Sequence, residues 1–178
     1  KRADPAQRFG SAEAMLAGYR DMAKRVDAEL PKLFATLPRM PYGIRAMQPF
    51  ERDNAEHYVP GSADGSRSGY FMANVNRLDR RGRFEMEALL MHETVPGHHL
   101  QIARAMEMEA LPEFRRHLWL TAYGEGWALY AESLGAQMGF YKEPETKIGY
   151  LSSEIMRASR LVVDTGLHRF DWKRQQAI

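Results

Sequence analysis

A proline–glycine pair interrupts the helical pattern between clustered histidines. Pro96-Gly97 separates His92 from His98 and His99. Proline lacks an amide hydrogen and clashes with the carbonyl four residues earlier, while glycine tolerates unusual torsions, so a helix here must kink or bulge. An unbroken helix would place His98 about 120° around the axis from His92, and His99 about 10 Å further along. Because a bulge of about two residues would move His98 to the position of a fourth residue, we predict that His98 lies beside His92, with His99 as the alternative.

His92, Glu93 and His98 are the residue types that a zinc hydrolase requires. Such a site uses two neutral imidazoles and commonly a carboxylate as ligands, with a second carboxylate beside the reactive water as general base. The second histidine usually comes four residues after the first, because residues four apart share a helix face. Here that position is Pro96, which cannot bind a metal, so the predicted site depends on the bulge.

A glutamate between two glycines forms the next candidate. Gly124-Glu125-Gly126 lies in an otherwise apolar helical pattern, where each glycine costs roughly 1 kcal/mol relative to alanine. Glycines at such positions indicate close packing against another backbone, and a glutamate on a largely buried helix needs a partner. We predict either a metal ion or an arginine as the partner of Glu125.

Composition restricts the function classes. The chain has 178 residues and no cysteine, so disulfides, thiolate metal sites and a cysteine nucleophile are excluded, and any metal must be bound by His, Asp or Glu. A net charge of +2 is too balanced to predict nucleic-acid binding. No apolar run reaches the roughly 18 to 20 residues of a membrane helix, so no membrane span is predicted in this segment.

The apolar periodicity predicts an α+β fold that is mostly helical. A helical stripe follows a Ser11 cap, and three short extended stretches come before the histidine segment. We predict one domain over residues 1–178, with a small sheet of about three strands and further long helices. The predicted segments are helices over 11–30, 84–91, 98–109, 112–137 and 146–167, and strands over 42–48, 55–59 and 69–76.

Three motifs in this order resemble the bacterial DUF885 family, which is grouped with zincin-like metallopeptidases. They lie at residues 92–101, 125–132 and 157–168, and the resemblance spans roughly residues 42–178. It implies a zincin-like fold whose sheet packs on the metal-binding helix. It also implies a bacterial protein that is longer than this segment, and it is compatible with a periplasmic or lipoprotein location.

The resemblance also implies the roles of individual residues. Family members are similar to gluzincins, in which two helical histidines and a glutamate from a later helix bind zinc. Carried over, this implies His92, His98 and Glu125 as Zn²⁺ ligands and Glu93 as the base that activates water. The implied activity is hydrolysis of a peptide or other amide substrate, and residues 70–76 would be the edge strand that holds extended peptide.

Other polar residues are weaker candidates. Asp164 and His168 are four residues apart and share a helix face, so His168 is a hypothetical catalytic donor, unless Gly166 ends that helix. Glu132 shares a face with Glu125, and either supports the metal ligands or pairs with an arginine. Tyr123 and Tyr130 are either hydrogen-bond donors to the reacting group or core residues, and His57 and His117 are interpreted as structural.

Two other functions were weighed against a hydrolase. The first is a non-catalytic zincin-like domain that binds peptides and holds a structural metal. The second, a carboxylate-bridged di-iron site, needs a glutamate three residues before each histidine. Those positions hold Leu89, Val95 and Pro96, so the sequence excludes it.

Overall fold

The structure, a computed structural model, describes residues 4–178; residues 1–3 of the predicted domain lie outside this range. The chain is α+β, with one helix before a small sheet and the other helices after it. The helices are α1 (Ala12–Glu29), α2 (Met86–Glu93), α3 (His98–Glu107), α4 (Glu113–His117), α5 (Thr121–Leu134), α6 (Pro144–Arg169) and α7 (Arg174–Ala177), and the strands are β1 (Tyr42–Ala46), β2 (His57–Val59) and β3 (Gly69–Ala73).

Helix α1 begins at the predicted cap. The Ser11 hydroxyl accepts a hydrogen bond from the Ala14 amide at 3.1 Å, which satisfies one of the free donors of the first turn. The predicted apolar stripe is buried and packs on the sheet, where Tyr19 meets Phe71 edge to face with ring centroids 5.0 Å apart. Apolar burial of this face fixes α1 against β3.

The sheet contains the three predicted strands in the order β1-β3-β2. Strand β3 is parallel to β1 and antiparallel to β2, so both of its edges are paired. The prediction of an edge strand over 70–76 was therefore wrong. Strand β3 also ends earlier than predicted, because the Asn74 side chain accepts a hydrogen bond from the Asn76 amide and begins a 3-10 turn. The free edge beside the histidines belongs to β2.

Helix α2 lies at the centre of the molecule, in contact with α1, α5 and α6. Six of its residues are buried, so it has no polar face turned to solvent: Met86, Ala88, Leu90, Met91, His92 and Glu93. A helix buried on all sides places any polar side chain in a low-dielectric environment. His92 and Glu93 occupy its last two positions.

Two helix predictions need correction. The segment 112–137 forms α4 and α5, separated by an extended stretch at Leu118 and Leu120. No proline or glycine marks this break; the Trp119 ring instead packs over Gly124 and beside His98, so tertiary contacts override the local helical pattern. Helix α6 runs through Gly166 and ends at Arg169, so that glycine does not terminate it.

Helix α6 crosses the backbone near the start of α2. A Cβ on Gly149 would overlap the Phe84 carbonyl, so glycine is required at this crossing. The close approach brings Arg157 towards the end of α2. None of the helices among residues 4–178 is long and apolar enough to cross a bilayer, as predicted.

Candidate metal site

The segment between His92 and His98 is a complete break between two helices. Helix α2 ends at Glu93 and α3 begins at His98, with a cis peptide bond before Pro96. The prediction of a kink or bulge within one continuous helix was therefore wrong, because two separate helices meet here. A Cβ on Gly97 would overlap the His92 carbonyl oxygen, because the chain passes back over the end of α2.

Neighbouring polar groups hold the break in place. The Trp127 indole N–H donates to the Pro96 carbonyl at 2.8 Å, and the Thr94 hydroxyl donates to the Leu90 carbonyl at 2.6 Å. The Leu90 carbonyl also accepts the Thr94 amide at 2.8 Å, so Thr94 closes the end of α2 with both its backbone and its side chain, while Trp127 satisfies the Pro96 carbonyl. Trp127 thus ties α5 to the break.

His92, His98 and Glu125 converge from three helices. One potential ligand atom from each lies within 4.8 Å of the others. His92 Nε2 is 3.3 Å from Glu125 Oε2, and His98 Nε2 is 3.7 Å from Glu125 Oε1. Tetrahedral zinc with bonds of about 2.0–2.1 Å requires ligands roughly 3.4 Å apart. The two histidine–carboxylate distances are close to this value, and the whole set of ligand atoms extends to 4.8 Å.

The surroundings of Glu125 differ from those predicted. Gly124 packs against the Trp119 side chain and not against a backbone, and a Cβ on Gly126 would meet nothing within 4 Å. The Glu125 side chain is 51% exposed, whereas that of His92 is 6% exposed. The cluster therefore has a buried histidine side and a carboxylate side that is open to solvent.

Glu132 and Arg157 fix the orientation of the His92 ring. The fully buried Glu132 carboxylate accepts the His92 Nδ1–H at 2.7 Å and binds the Arg157 guanidinium at 2.8 and 3.1 Å. Donation through Nδ1 leaves the Nε2 lone pair free on the side that faces Glu125. A carboxylate that holds a histidine in this way selects the tautomer that binds a metal. The predicted pairing of Glu132 with an arginine is therefore confirmed, and its contact with His92 is the one that support of a metal ligand would require.

Glu93 is a buried carboxylate with one oxygen that forms no hydrogen bond within residues 4–178. It is 6% exposed, and its Oε2 has no hydrogen-bond partner among the described residues. Burial raises the pKa of Glu93 to about 7; His92 opposes that shift and Glu125 adds to it, and the Tyr58 backbone in β2 also lowers the pKa. A carboxyl group whose pKa lies near neutrality is suited to general base chemistry.

His98 and His99 occupy different environments. Both ring nitrogens of His99 are used, since Nδ1 is 2.7 Å from the Tyr58 hydroxyl and Nε2 is 3.0 Å from the Met40 carbonyl. His98 Nδ1 is buried without a partner, and burial lowers the pKa of His98, which favours the neutral imidazole. The structure thus turns His98 towards the cluster and His99 towards the sheet.

The remaining candidates lie apart from the cluster. His168 is exposed and pairs with Asp164 at 3.5 Å on the same helix, about 16 Å along the axis from Arg157. The structure does not bring His168 to the candidate ligands. Tyr123 and Tyr130 are both more than half exposed, so neither is a core residue.

Several contributors to the site were not among the predicted residues. Arg157 lies in a motif that carries no predicted role for it, and the Trp119 ring lies 5.6 Å from that of His98. Tyr141 donates its hydroxyl to the Glu132 carbonyl at 2.8 Å. Their sequence separation from the histidines gives no local signal, so only the motif at 157–168 could have pointed to Arg157.

Replacing Gly97 by alanine should destabilise the protein by about 2 kcal/mol or more, because the new Cβ cannot fit against the His92 carbonyl. Gly126→Ala is the matched control. This position is helical and open, so alanine should raise the free energy of unfolding by up to about 1 kcal/mol. Urea unfolding of both variants measures this. A Gly97→Ala variant as stable as wild type would contradict the assigned packing of the break.

Comparison with known proteins adds a family and a similar structure. A family model described as "Bacterial protein of unknown function (DUF885)" matches residues 1–178. A crystal structure of the "putative lipoprotein" from Colwellia psychrerythraea is similar, with a TM-score of 0.92 and 33% sequence identity over 99% of this chain. This chain spans only 31% of that one. No curated protein matches the sequence.

Proposed function

The chain belongs to the DUF885 family of bacterial proteins, described as of unknown function, and we propose that it forms a zincin-like, zinc-dependent hydrolase site for peptide or other amide bonds. The observation that carries the proposal is the convergence of His92, His98 and Glu125 beside the buried, partly unpartnered carboxylate of Glu93. Two imidazoles and a carboxylate form a ligand set of catalytic zinc sites. The order of these residues, with the base directly after the first histidine, is that of gluzincins.

The residues present fit such an ion. The distances from Glu125 to His92 and His98 are close to those between ligands of tetrahedral zinc, and Glu132 keeps the Nε2 lone pair of His92 available. Without a cation, His92 Nε2 would have to carry a second proton in order to hydrogen-bond Glu125. His92, His98 and Glu125 would together hold a divalent cation, which would remove the need for that proton.

The mechanism assigns separate tasks to the residues of the site. When bound, zinc would polarise the scissile carbonyl and acidify the attacking water. Glu93 takes a proton from that water through its free oxygen and passes it to the leaving amine. Glu132 and Arg157 keep the His92 ring in place.

Zinc content tests this proposal directly. Plasma mass spectrometry of the zinc-loaded and dialysed protein should find about one zinc per chain, and His92→Ala and Glu125→Ala should each abolish it. His168→Ala and Glu143→Ala are matched controls on exposed residues outside the cluster and should keep the zinc. Wild-type protein that binds no zinc after reconstitution with excess metal would overturn the proposal.

A location outside the cytoplasm is a separate part of the proposal, supported by the similar structure. The similar Colwellia protein is described as a "putative lipoprotein", so the proposal includes a location outside the cytoplasm. Fractionation of cells that express the native gene tests this part. Recovery in the cytosol would contradict it without affecting the metal site.

A further inference from the structure

A small cavity opens next to the candidate metal ligands. It has a volume of about 270 Å³ and lies between α3, the α4–α5 connection and the start of α5. Its walls include Trp119, whose ring is 5.6 Å from that of His98, and Tyr123, two residues before Glu125. Gln101, another wall residue, follows His98 by three positions and shares its face of α3, so the cavity adjoins the His98 side of the cluster.

The cavity wall carries two polar atoms with no partner. Gln101 is 8% exposed and donates its amide to the Tyr123 carbonyl at 3.3 Å, while its Oε1 is buried without a donor. Among residues 4–178, Arg116 Nε is likewise buried without an acceptor, and the guanidinium donates a long hydrogen bond to the Met106 carbonyl at 3.4 Å. A buried polar atom without a hydrogen bond destabilises the folded protein, unless a bound ligand supplies the missing partner.

No carboxylate among residues 4–178 forms an ion pair with Arg116. The cavity therefore presents an acceptor, Gln101 Oε1, and an unneutralised cation, Arg116. The rest of the lining is largely apolar and includes Ile102, Met106 and Leu118. An occupant that satisfies all three features has an N–H donor, a carboxylate and an apolar side chain.

We infer that this cavity binds the carboxy-terminal residue of a peptide, with the side chain against the apolar wall, the carboxylate on Arg116 and the amide N–H on Gln101. The volume of about 270 Å³ lies just below the range of about 300–1,000 Å³ that is common for drug-sized ligands and is sufficient for one amino-acid residue. As a substrate pocket it rests on the proposed hydrolase, and it makes that enzyme selective for peptides with a free carboxyl terminus.

Binding of single-residue probes tests the pocket without any metal. In chelator-treated protein, isothermal titration calorimetry should show that N-acetyl-L-leucine binds at least tenfold more tightly than N-acetyl-L-leucinamide, because the amide lacks the charge that pairs with Arg116. N-acetylglycine should also bind more weakly, since it has no side chain for the apolar wall. Equal affinity for the acid and the amide, or no binding of either at millimolar concentration, would overturn the inference.

Two neighbouring arginines on α4 supply a matched pair of variants. Arg116→Gln should reduce the affinity for N-acetyl-L-leucine at least tenfold, whereas Arg115→Gln, which removes the same charge from an exposed position, should not change it. Gln101→Leu should weaken binding of the acid and its amide alike, because both donate the same N–H. An equal loss in the two arginine variants would show a general charge effect and contradict the pocket.

The outcomes separate this inference from the proposed hydrolase. Probe binding in protein that never retains zinc would support the pocket and reject the enzyme. Zinc binding without acid-selective probe binding would reject the pocket alone. In an active zinc-loaded protein, kcat/KM should be at least tenfold higher for a peptide with a free carboxyl terminus than for its amidated form.

Discussion

Glu93→Gln should lower amide hydrolysis by about 100- to 10,000-fold and leave zinc content unchanged. Glutamine has the shape of glutamate but cannot accept and return a proton at neutral pH. The Glu93 carboxylate is buried beside His92 without being one of the three converging ligand groups, so its loss should not release the metal. Turnover of a peptide library and zinc content, measured on the same preparation, check both parts.

The control for this variant is Glu143→Gln, the same chemical change at an exposed position. It should keep both zinc and turnover. If Glu93→Gln retains wild-type turnover, the general base lies elsewhere. A wild-type protein that binds zinc and peptides but cleaves none of the library would favour the alternative of a structural metal site.

Glu132→Ala should reduce the free energy of unfolding by about 3 kcal/mol and weaken zinc binding by roughly 10- to 100-fold. Removal of a fully buried carboxylate leaves the Arg157 guanidinium, mostly buried, without its counter-ion. It also removes the acceptor of the His92 Nδ1–H, so the ring loses the tautomer that directs Nε2 to the cluster. Chemical unfolding of the metal-free protein and competition with a zinc chelator measure the two effects.

Two further variants test why Glu132→Ala loses stability and zinc affinity. Glu132→Gln keeps an oxygen for the Nδ1–H and should retain more zinc affinity than Glu132→Ala. Asp21→Ala breaks an exposed pair with Arg25 and should change stability by no more than about 0.5 kcal/mol. A Glu132→Ala variant that is as stable as wild type and binds zinc as tightly would contradict the positioning role.

The local features of the fold were predictable from sequence, whereas long-range pairing was not. The Ser11 cap and the three short strands follow from short-range patterns that the structure confirms. The place of β3 between β1 and β2 depends on pairing between distant segments, which alternation along one strand does not encode. The break before α5 likewise depends on Trp119 packing against Gly124, a contact that outweighs helical propensity.

In the candidate site, too, some residues could be predicted from the sequence and others could not. Histidine clustering and the glycine-flanked Glu125 are visible in the sequence because these residue types are costly or unusual in a helical pattern. Arg157 is one of 25 basic residues and lies 65 positions from His92, so its contact with Glu132 could not be selected from spacing. The unpartnered polar atoms of Gln101 and Arg116 are visible only when the surrounding walls are in place.

The helix break changes how proteins with this geometry can be found in genomes. A motif search that requires a second histidine four positions after the first would miss this chain, because it has Pro96 there. A pattern of His-Glu, two variable residues, Pro-Gly and His, followed downstream by Gly-Glu-Gly, describes the same arrangement of donors. It would recover sequences in which a turn of the backbone, and not the pitch of a helix, sets the distance between the two imidazoles.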